Sequence, residues 1–281
     1  MADKCGMIYL VATPIGNLED ITMRAVRILG EVDLIAAEDT RQTLKLLNHL
    51  NIKKPLVSYY EHNKNTKGGY LVEQLLSGKN IALVSDAGCP GISDPGEDMV
   101  KLAIENGIPV TMVPGPAALI SGVVLSGLPS GRFAFEGFLP VNKRSRKERI
   151  LSLKNETRTI VFYEAPHKLI YTLRDLLEGL GNRRVALARE LTKLHEEVYR
   201  CNLEEAVRKY EAEAPRGEFV LVVEGEDENA LREETAKKWE EMSLKEHFEL
   251  YAEQGMDKKE AIKKVALDRG ISKRDVYNSL L

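Results

Sequence analysis

Two short stretches concentrate the residue types that chemistry needs. The first, AAEDTRQT at 36–43, ends an apolar run with Glu38, Asp39, Thr40 and Arg41. Glu38 or Asp39 could accept a proton from a nucleophile, and Arg41 could clamp a phosphate through paired hydrogen bonds. Asp39 or Thr40 equally suits the N-cap of a helix beginning at Arg41, with Arg41 paired to an acid. The second stretch, LVSDAGCPGISDPGEDMV at 83–100, stops another apolar run at Asp86 and continues through glycines and prolines. Gly88 and Gly91 permit positive φ and clear side chains from where another molecule would approach. Asp94, Pro95 and Glu97 then write a helix start, with Met99, Val100, Ala103 and Ile104 as its buried face.

A tight strand-to-helix connection explains the capping half of that second stretch. It leaves SDAGCPG unexplained, and a ligand-cradling loop accounts for it better. No Lys-Ser/Thr pair follows the glycines, and VATPIGNLED carries a single glycine, so neither phosphate-binding fingerprint is present. Asp86, Asp94, Glu97 and Asp98 would repel phosphate. A ligand that is neutral or positive near these acids fits, and S-adenosylmethionine, with its sulfonium and adenosine, is of that kind. Asn17, Asp20 and Arg24 follow the first strand, and Glu190, Thr192 and Lys193 follow a later one; both groups fall where α/β sheets gather ligands. Lys193 could meet a phosphate or steady a transition state, or be an ordinary solvated lysine. His167, after a proline at a helix start, reads as structural.

These residues need a frame. Apolar strands alternate with amphipathic helices through the first half: MIYLVATP then 22–29, DLIAAED then 41–50, NIALVSDA then 95–105, IPVTMVPG then 116–126. That order predicts a buried, mostly parallel sheet. The second half offers five strand candidates with fewer helices: RFAFEGFLP, RTIVFYEAP, RRVALARELT, EEVYRCNL and GEFVLVVEGE. It reads as a mixed sheet in a second α/β domain. The charged EDENALREETAKKWEEMS reads as a linker, and 243–281 as helices capped at Ser243, Asp257 and Ser272 and stopped at Gly255 and Gly270.

The 281 residues are 43% hydrophobic and 30% charged with a net charge of −3, a soluble balance that argues against a protein coating nucleic acid. No apolar run is long enough to span a bilayer. The N-terminal run MADKCGMIYLVATP is too short for a signal peptide, so a cytoplasmic protein is expected. Cys5, Cys89 and Cys201 are far apart and the five histidines form no ligand pair, which predicts reduced thiols and no metal.

In order along the chain, YLVATPIGNLEDITMRA, AAEDTRQT, LVSDAGCPGISDPG, VPGPAAL, FEGFLP, VFYEAPHK and ARELTKLHEE resemble the motifs of RsmI-type ribosomal RNA methyltransferases. That family has the tetrapyrrole methylase-like, class III, fold of S-adenosylmethionine enzymes, and the likeness runs from about Ile8 to Gly225. The resemblance implies two α/β domains, 1–116 and 117–228, with the donor in the cleft between them, and a helical, helix-turn-helix-like domain at 229–281. It implies a homodimer that methylates the ribose 2′-OH of a cytidine in the decoding region of small-subunit (16S) ribosomal RNA, free or in the assembled 30S subunit. Ser85, Asp86, Ala87, Gly88 and Ile92 are then the first candidates for donor contacts. Pro14 and Gly16, Ala117 and Ala118, and Tyr163 and Glu164 are expected on the same cleft; turn formation and packing are the plainer roles for most of them. Glu38, Asp39, Arg41 and Lys193 become the catalytic candidates.

RNA contact is expected from the basic run NKRSRKER at 142–149, where Lys143, Arg144, Arg146, Lys147 and Arg149 face one acid, Glu148. Arg24 joins these residues, and the basic tail offers a further surface. A tetrapyrrole C-methyltransferase on the same scaffold would have no use for the basic run or tail. A purely RNA-binding protein would have no use for the glycine-rich loops.

Overall fold

The computed structural model describes residues 5–231, 239 and 242–280. Most of the charged stretch read as a linker lies outside them. Strands β1 (Ile8–Val11), β2 (Leu34–Ala37), β3 (Leu56–Ser58), β4 (Ile81–Val84) and β5 (Val110–Val113) form one sheet in the order β3-β2-β4-β1-β5. All its pairings are parallel. Strands β2 and β4 are buried along their whole length, as a sheet covered on both faces requires. The covering helices are α1 (Met23–Glu31), α2 (Thr40–His49), α3 (Lys64–Leu76) and α4 (Gly96–Glu105).

Two expectations change here. Strand β3 and helix α3 are additions: β3 is three half-buried residues at the sheet's edge, too brief for a period to register. In α4, Met99 and Ala103 are fully buried, but Ile104 is 65% exposed and belongs to the outer face.

The second sheet contains β6 (Phe133–Phe138), β7 (Thr159–Glu164), β8 (Arg184–Arg189), β9 (Glu197–Asn202) and β10 (Phe219–Val223), ordered β6-β7-β10-β8-β9. Only β6 and β7 run parallel; the other pairs are antiparallel, so the sheet is mixed as expected. Helices α6 (Lys143–Ser152), α7 (Pro166–Leu180) and α8 (Leu203–Ala212) bury one face around Phe162, Leu173 and Leu221. Helix α5 (Ala118–Ser126) covers the other, where Val123 meets Val161, Ala186 and Val220.

Gly122 is what lets α5 lie so close: a Cβ there would stand 2.7 Å from Val220 Cγ1 and 3.1 Å from its Cβ. Gly122→Ala is therefore expected to cost about 1–3 kcal/mol, read from urea unfolding, because a β-branched core side chain has nowhere to yield.

Helices α9 (Leu244–Glu253), α10 (Lys258–Arg269) and α11 (Lys273–Ser279) pack around Tyr251, Val265 and Val276. Ser243, Asp257 and Ser272 accept from the amides of Glu246, Glu260 and Asp275, the three caps read from the sequence. Gly255 and Gly270 adopt φ of +87° and +64° just beyond the first two helices.

Candidate active site

Between β4 and β1 the chain changes direction: α1 leads from β1 to β2 on one side, while α4 leads from β4 to β5 on the other. Such switch points open a crevice at the strands' C-terminal ends. The loops after β1 and β4 meet there, where Thr13 and Gly88 exchange both main-chain hydrogen bonds at 2.9 and 3.0 Å. Gly88 has φ of +77°, and a Cβ on it would meet Ile15 Cγ2 at 3.3 Å. Asp94 shapes the rest of the β4 loop. Its carboxylate accepts from the amides of Gly91 (2.9 Å), Ile92 (3.3 Å) and Gly96 (2.7 Å), so it folds the loop back on itself as well as starting α4. Pro95, with no side-chain cap bond, occupies the N-cap position expected of Asp94.

The crevice continues into a cleft of about 680 Å³ walled by both sheets. Ile15, Ile92 and Met112 line it from the first sheet's side; Ala118, Phe138 and Val220 line it from the second. A bulge in β6 between Phe135 and Gly137, where Gly137 has φ of +63°, precedes Phe138 at this wall. Tyr163 packs edgewise on Phe135, its ring centre 5.0 Å away, and its hydroxyl accepts from the Leu119 amide at 3.2 Å.

Two charged groups line the cleft. In one, Glu38 lies near Asp86 and Asp94. Burial, and then the charges of Asp86 and Asp94, push the Glu38 carboxyl above its ordinary value. Asp86 Oδ1 accepts from the Asp39 amide at 2.9 Å, tying the β2 loop to the β4 loop. In the other, Lys193 Nζ donates to Glu190 (2.9 Å) and Glu218 (3.1 Å). Burial pulls this ammonium's pKa down, but the two carboxylates outweigh it and the value ends raised. Glu190 and Thr192 both hold positive φ, 51° and 65°, an uncommon backbone for these residue types. The Asn17 amide donates to Thr192 Oγ1 at 3.1 Å and so secures that loop from the first sheet's side.

Of the expected donor contacts, Ser85, Asp86, Ala87, Gly88 and Ile92 stand on the cleft wall. Ala117, Ala118 and Tyr163 are there too, as are Glu38 and Lys193. Glu164 borders the cleft, but its carboxylate is engaged by the Ala165 amide (2.8 Å) and Thr172 Oγ1 (2.5 Å), a structural role at the start of α7. Pro14 and Gly16 are not on the wall. Gly16 instead permits close approach, since a Cβ there would lie 2.3 Å from Lys193 Cγ.

Asp39 and Arg41 also fall outside the wall. Asp39 caps α2 through the Arg41 amide (2.8 Å) and binds that guanidinium with both oxygens. Those hydrogen bonds hold its carboxyl at about 2, which makes it a poor proton acceptor beside Glu38. His167 is exposed at the start of α7 and lines nothing in the cleft. Sequence reasoning did not single out Met112, Ser93 or Glu218; they reach the wall through the tertiary fold. Phe138 lay unmarked inside a quoted motif.

The basic run is a helix, α6, and much of its charge is already committed. Arg146 pairs with Asp175 at 2.7 Å, the two side chains 14% and 8% exposed, and it also donates to the Val141 carbonyl. Lys147 pairs with Glu178 and Arg149 with Glu136, which fastens α6 to α7 and β6. Arg146 is therefore withdrawn as a phosphate contact, and Lys147 has a partner to give up. Lys143 and Arg144 remain outward, Arg144 with a solvent-exposed i,i+4 partner, Glu148. Arg24 is exposed on the first turn of α1.

A model of the tetrapyrrole (corrin/porphyrin) methylases matches residues 7–207. The protein named ribosomal RNA small subunit methyltransferase I from Halalkalibacterium halodurans is 53% identical across 98% of this chain and 95% of its own. Its namesake from Bacillus subtilis is 49% identical across 98% and 94%. The chain belongs to the tetrapyrrole methylase family, with the small-subunit ribosomal RNA methyltransferases I. A Thermotoga maritima member of the family is 51% identical along its entire length while covering 79% of this chain. Among solved structures, uroporphyrin-III-C-methyltransferase from Thermus thermophilus superposes with a TM-score of 0.57 at 22% identity, covering 78% of this chain and 94% of that one. At that identity the likeness is one of fold. Among the described residues no helix is long and apolar enough to cross a membrane, and no group of side chains is arranged to hold a metal.

Proposed function

We infer that the cleft binds S-adenosylmethionine and that the chain methylates the ribose 2′-OH of a cytidine in the decoding region of small-subunit ribosomal RNA. The observation that carries this reading is the cleft walled by both sheets, with Glu38, Asp86 and Asp94 on it, in a chain about half identical along its length to proteins named ribosomal RNA small subunit methyltransferase I. The residues present suit the donor: Asp86 and Asp94 favour a positive centre, and Ile15, Ile92 and Phe138 offer apolar surface to an adenosine. When bound, S-adenosylmethionine supplies a methyl group on a sulfonium, open to displacement by an aligned oxygen.

The chain's own contribution is position and proton transfer. A ribose hydroxyl is a weak nucleophile until its proton has an acceptor, and Glu38 would serve because its raised pKa brings it nearer working pH. The walls of two sheets would fix the hydroxyl's approach, and alignment alone can supply much of the acceleration. Lys193, anchored between Glu190 and Glu218, would meet the RNA backbone. Lys143, Arg144 and Arg24 are the outlying phosphate contacts of this reading.

A homodimer belongs to the same reading, since α5 leaves Ile120 and Val124 exposed for a second copy to cover. So do a cytoplasmic location and division into units 1–116, 117–228 and 229–281. The deciding experiment supplies labelled donor with small-subunit RNA, free or as 30S particles, carrying either cytidine or 2′-deoxycytidine at the target. Label is expected in the first and none in the second; label in the deoxy substrate would move the chemistry to the base.

A further inference from the structure

We propose that the loop after β3, residues 59–63, is a stacking platform for an unpaired RNA base, with Arg41 beside it as the phosphate contact. This rests on the ribosomal RNA reading and adds to it a site outside the donor cleft.

Its placement follows from three linked loops at one edge of the first sheet. Asp86, on the cleft wall, accepts from the Asp39 amide at 2.9 Å. Ala37, two residues before Asp39, accepts from the Tyr59 amide at 2.8 Å and lies opposite Ser58 in the β2–β3 register. Cleft, Glu38–Arg41 and Tyr59–Asn63 thus stand in a row. A strand whose ribose enters the cleft would pass the other two.

The loop is built rather than loose. Tyr59 is fully buried and anchors it. Asn63 closes it: Oδ1 accepts from the Tyr60 amide at 2.9 Å, and Nδ2 donates to the Ser58 carbonyl at 3.2 Å and hydroxyl at 3.3 Å. Held by this frame, Tyr60 is 40% exposed and stands edge to face with the exposed His62, ring centres 6.3 Å apart. Lys64 neutralises the nearby acids, reaching Glu61 at 2.7 Å and Asp98 at 2.8 Å, so phosphate is not repelled by them. Arg41 is 87% exposed, so a phosphate can reach its guanidinium from solvent alongside Asp39.

The chemistry fits the reaction's requirement. Presenting one hydroxyl to a cleft pulls its nucleotide out of a helix and leaves neighbouring bases unstacked. Two exposed rings on a rigid loop give such a base a new face, with little dependence on its identity.

The test uses the full chain with the RNA substrate that the wild type methylates. Tyr60→Ala is expected to raise the KM for RNA about tenfold, and His62→Ala by less, as loss of one base–ring stack predicts. The donor Kd from calorimetry and kcat at saturating RNA should stay within about twofold, and Tyr60→Phe should restore the wild-type KM. Unchanged KM in the Tyr60→Ala variant overturns the platform. So does a Tyr60→Phe chain as impaired as Tyr60→Ala, or donor affinity falling in step with RNA affinity. A wild type that methylates no RNA overturns the functional reading and the platform with it; an active wild type with an unaffected Tyr60→Ala variant overturns the platform alone.

Discussion

Glu38→Gln is expected to lower kcat by about 10²–10⁴-fold, the usual range for losing a positioned proton acceptor, while calorimetry finds the donor bound as before. The amide keeps the shape of the side chain but cannot take a proton. The wild-type rate should rise with pH as this carboxyl ionises, with its midpoint displaced above the ordinary 4.5 by burial and by Asp86 and Asp94. The variant should lose that limb. Stability should move the other way. A carboxyl whose folded pKa lies above its unfolded one favours the fold most when protonated, and that advantage fades as pH rises through the folded value. At neutral pH the ionised group therefore costs the fold something, and the neutral glutamine should give an equal or higher Tm. An active variant with an unchanged pH profile would remove Glu38 from the mechanism.

The other large effect concerns Arg146. Reversing its charge should destabilise the chain by about 3–5 kcal/mol, the range for breaking a mostly buried ion pair, because Asp175 would then face a second carboxylate. Reversing Arg144 should cost no more than about 0.5 kcal/mol, since its partner Glu148 is an exposed i,i+4 neighbour. Urea unfolding of the two variants separates these roles, and equal midpoints would mean that the α6–α7 pair does not hold the helix in place. If Arg144 contacts RNA, its variant should lose RNA affinity with its stability intact.

That contrast marks a boundary of what could be read in the sequence. Counting charges in NKRSRKER finds five cations and one acid, and the count is correct. What absorbs them lies outside the run: Asp175 and Glu178 on α7, Glu136 on β6. Only the packing of α6 brings these acids into reach. Strand β3 escaped for a different reason. Leu56–Ser58 is half-buried and three residues long, and the helix after it contains Gly68 and Gly69, which weaken any helical signal. A Cβ at Gly68 would meet Leu102 Cδ1 at 2.8 Å, so that leucine's end would have to shift to admit an alanine.

The loops after β1 and β4 were legible because their chemistry is local. Gly88 and Asp94 act on neighbours within a few residues or on one adjoining loop. The long buried strands and the helix caps were legible on the same grounds. Lys193 was visible as a candidate, but its two carboxylate anchors were not. Glu218 belongs to a turn that joins the site only when β10 inserts into the second sheet.

The position of β10 also bears on when the protein becomes a catalyst. Among the described residues it is the last strand made, and it is the middle one of its sheet, with β7 on one flank and β8 on the other. The first sheet can close as soon as β5 leaves the ribosome. The β6–β7 and β8–β9 pairs must wait, unjoined, for the segment that bridges them. A nascent chain released before Phe219 would carry the Asp86–Asp94 loop opposite a wall that lacks Phe219 and Val220 and the strand that joins its two halves, and so is expected to turn over no substrate however well its first half had folded.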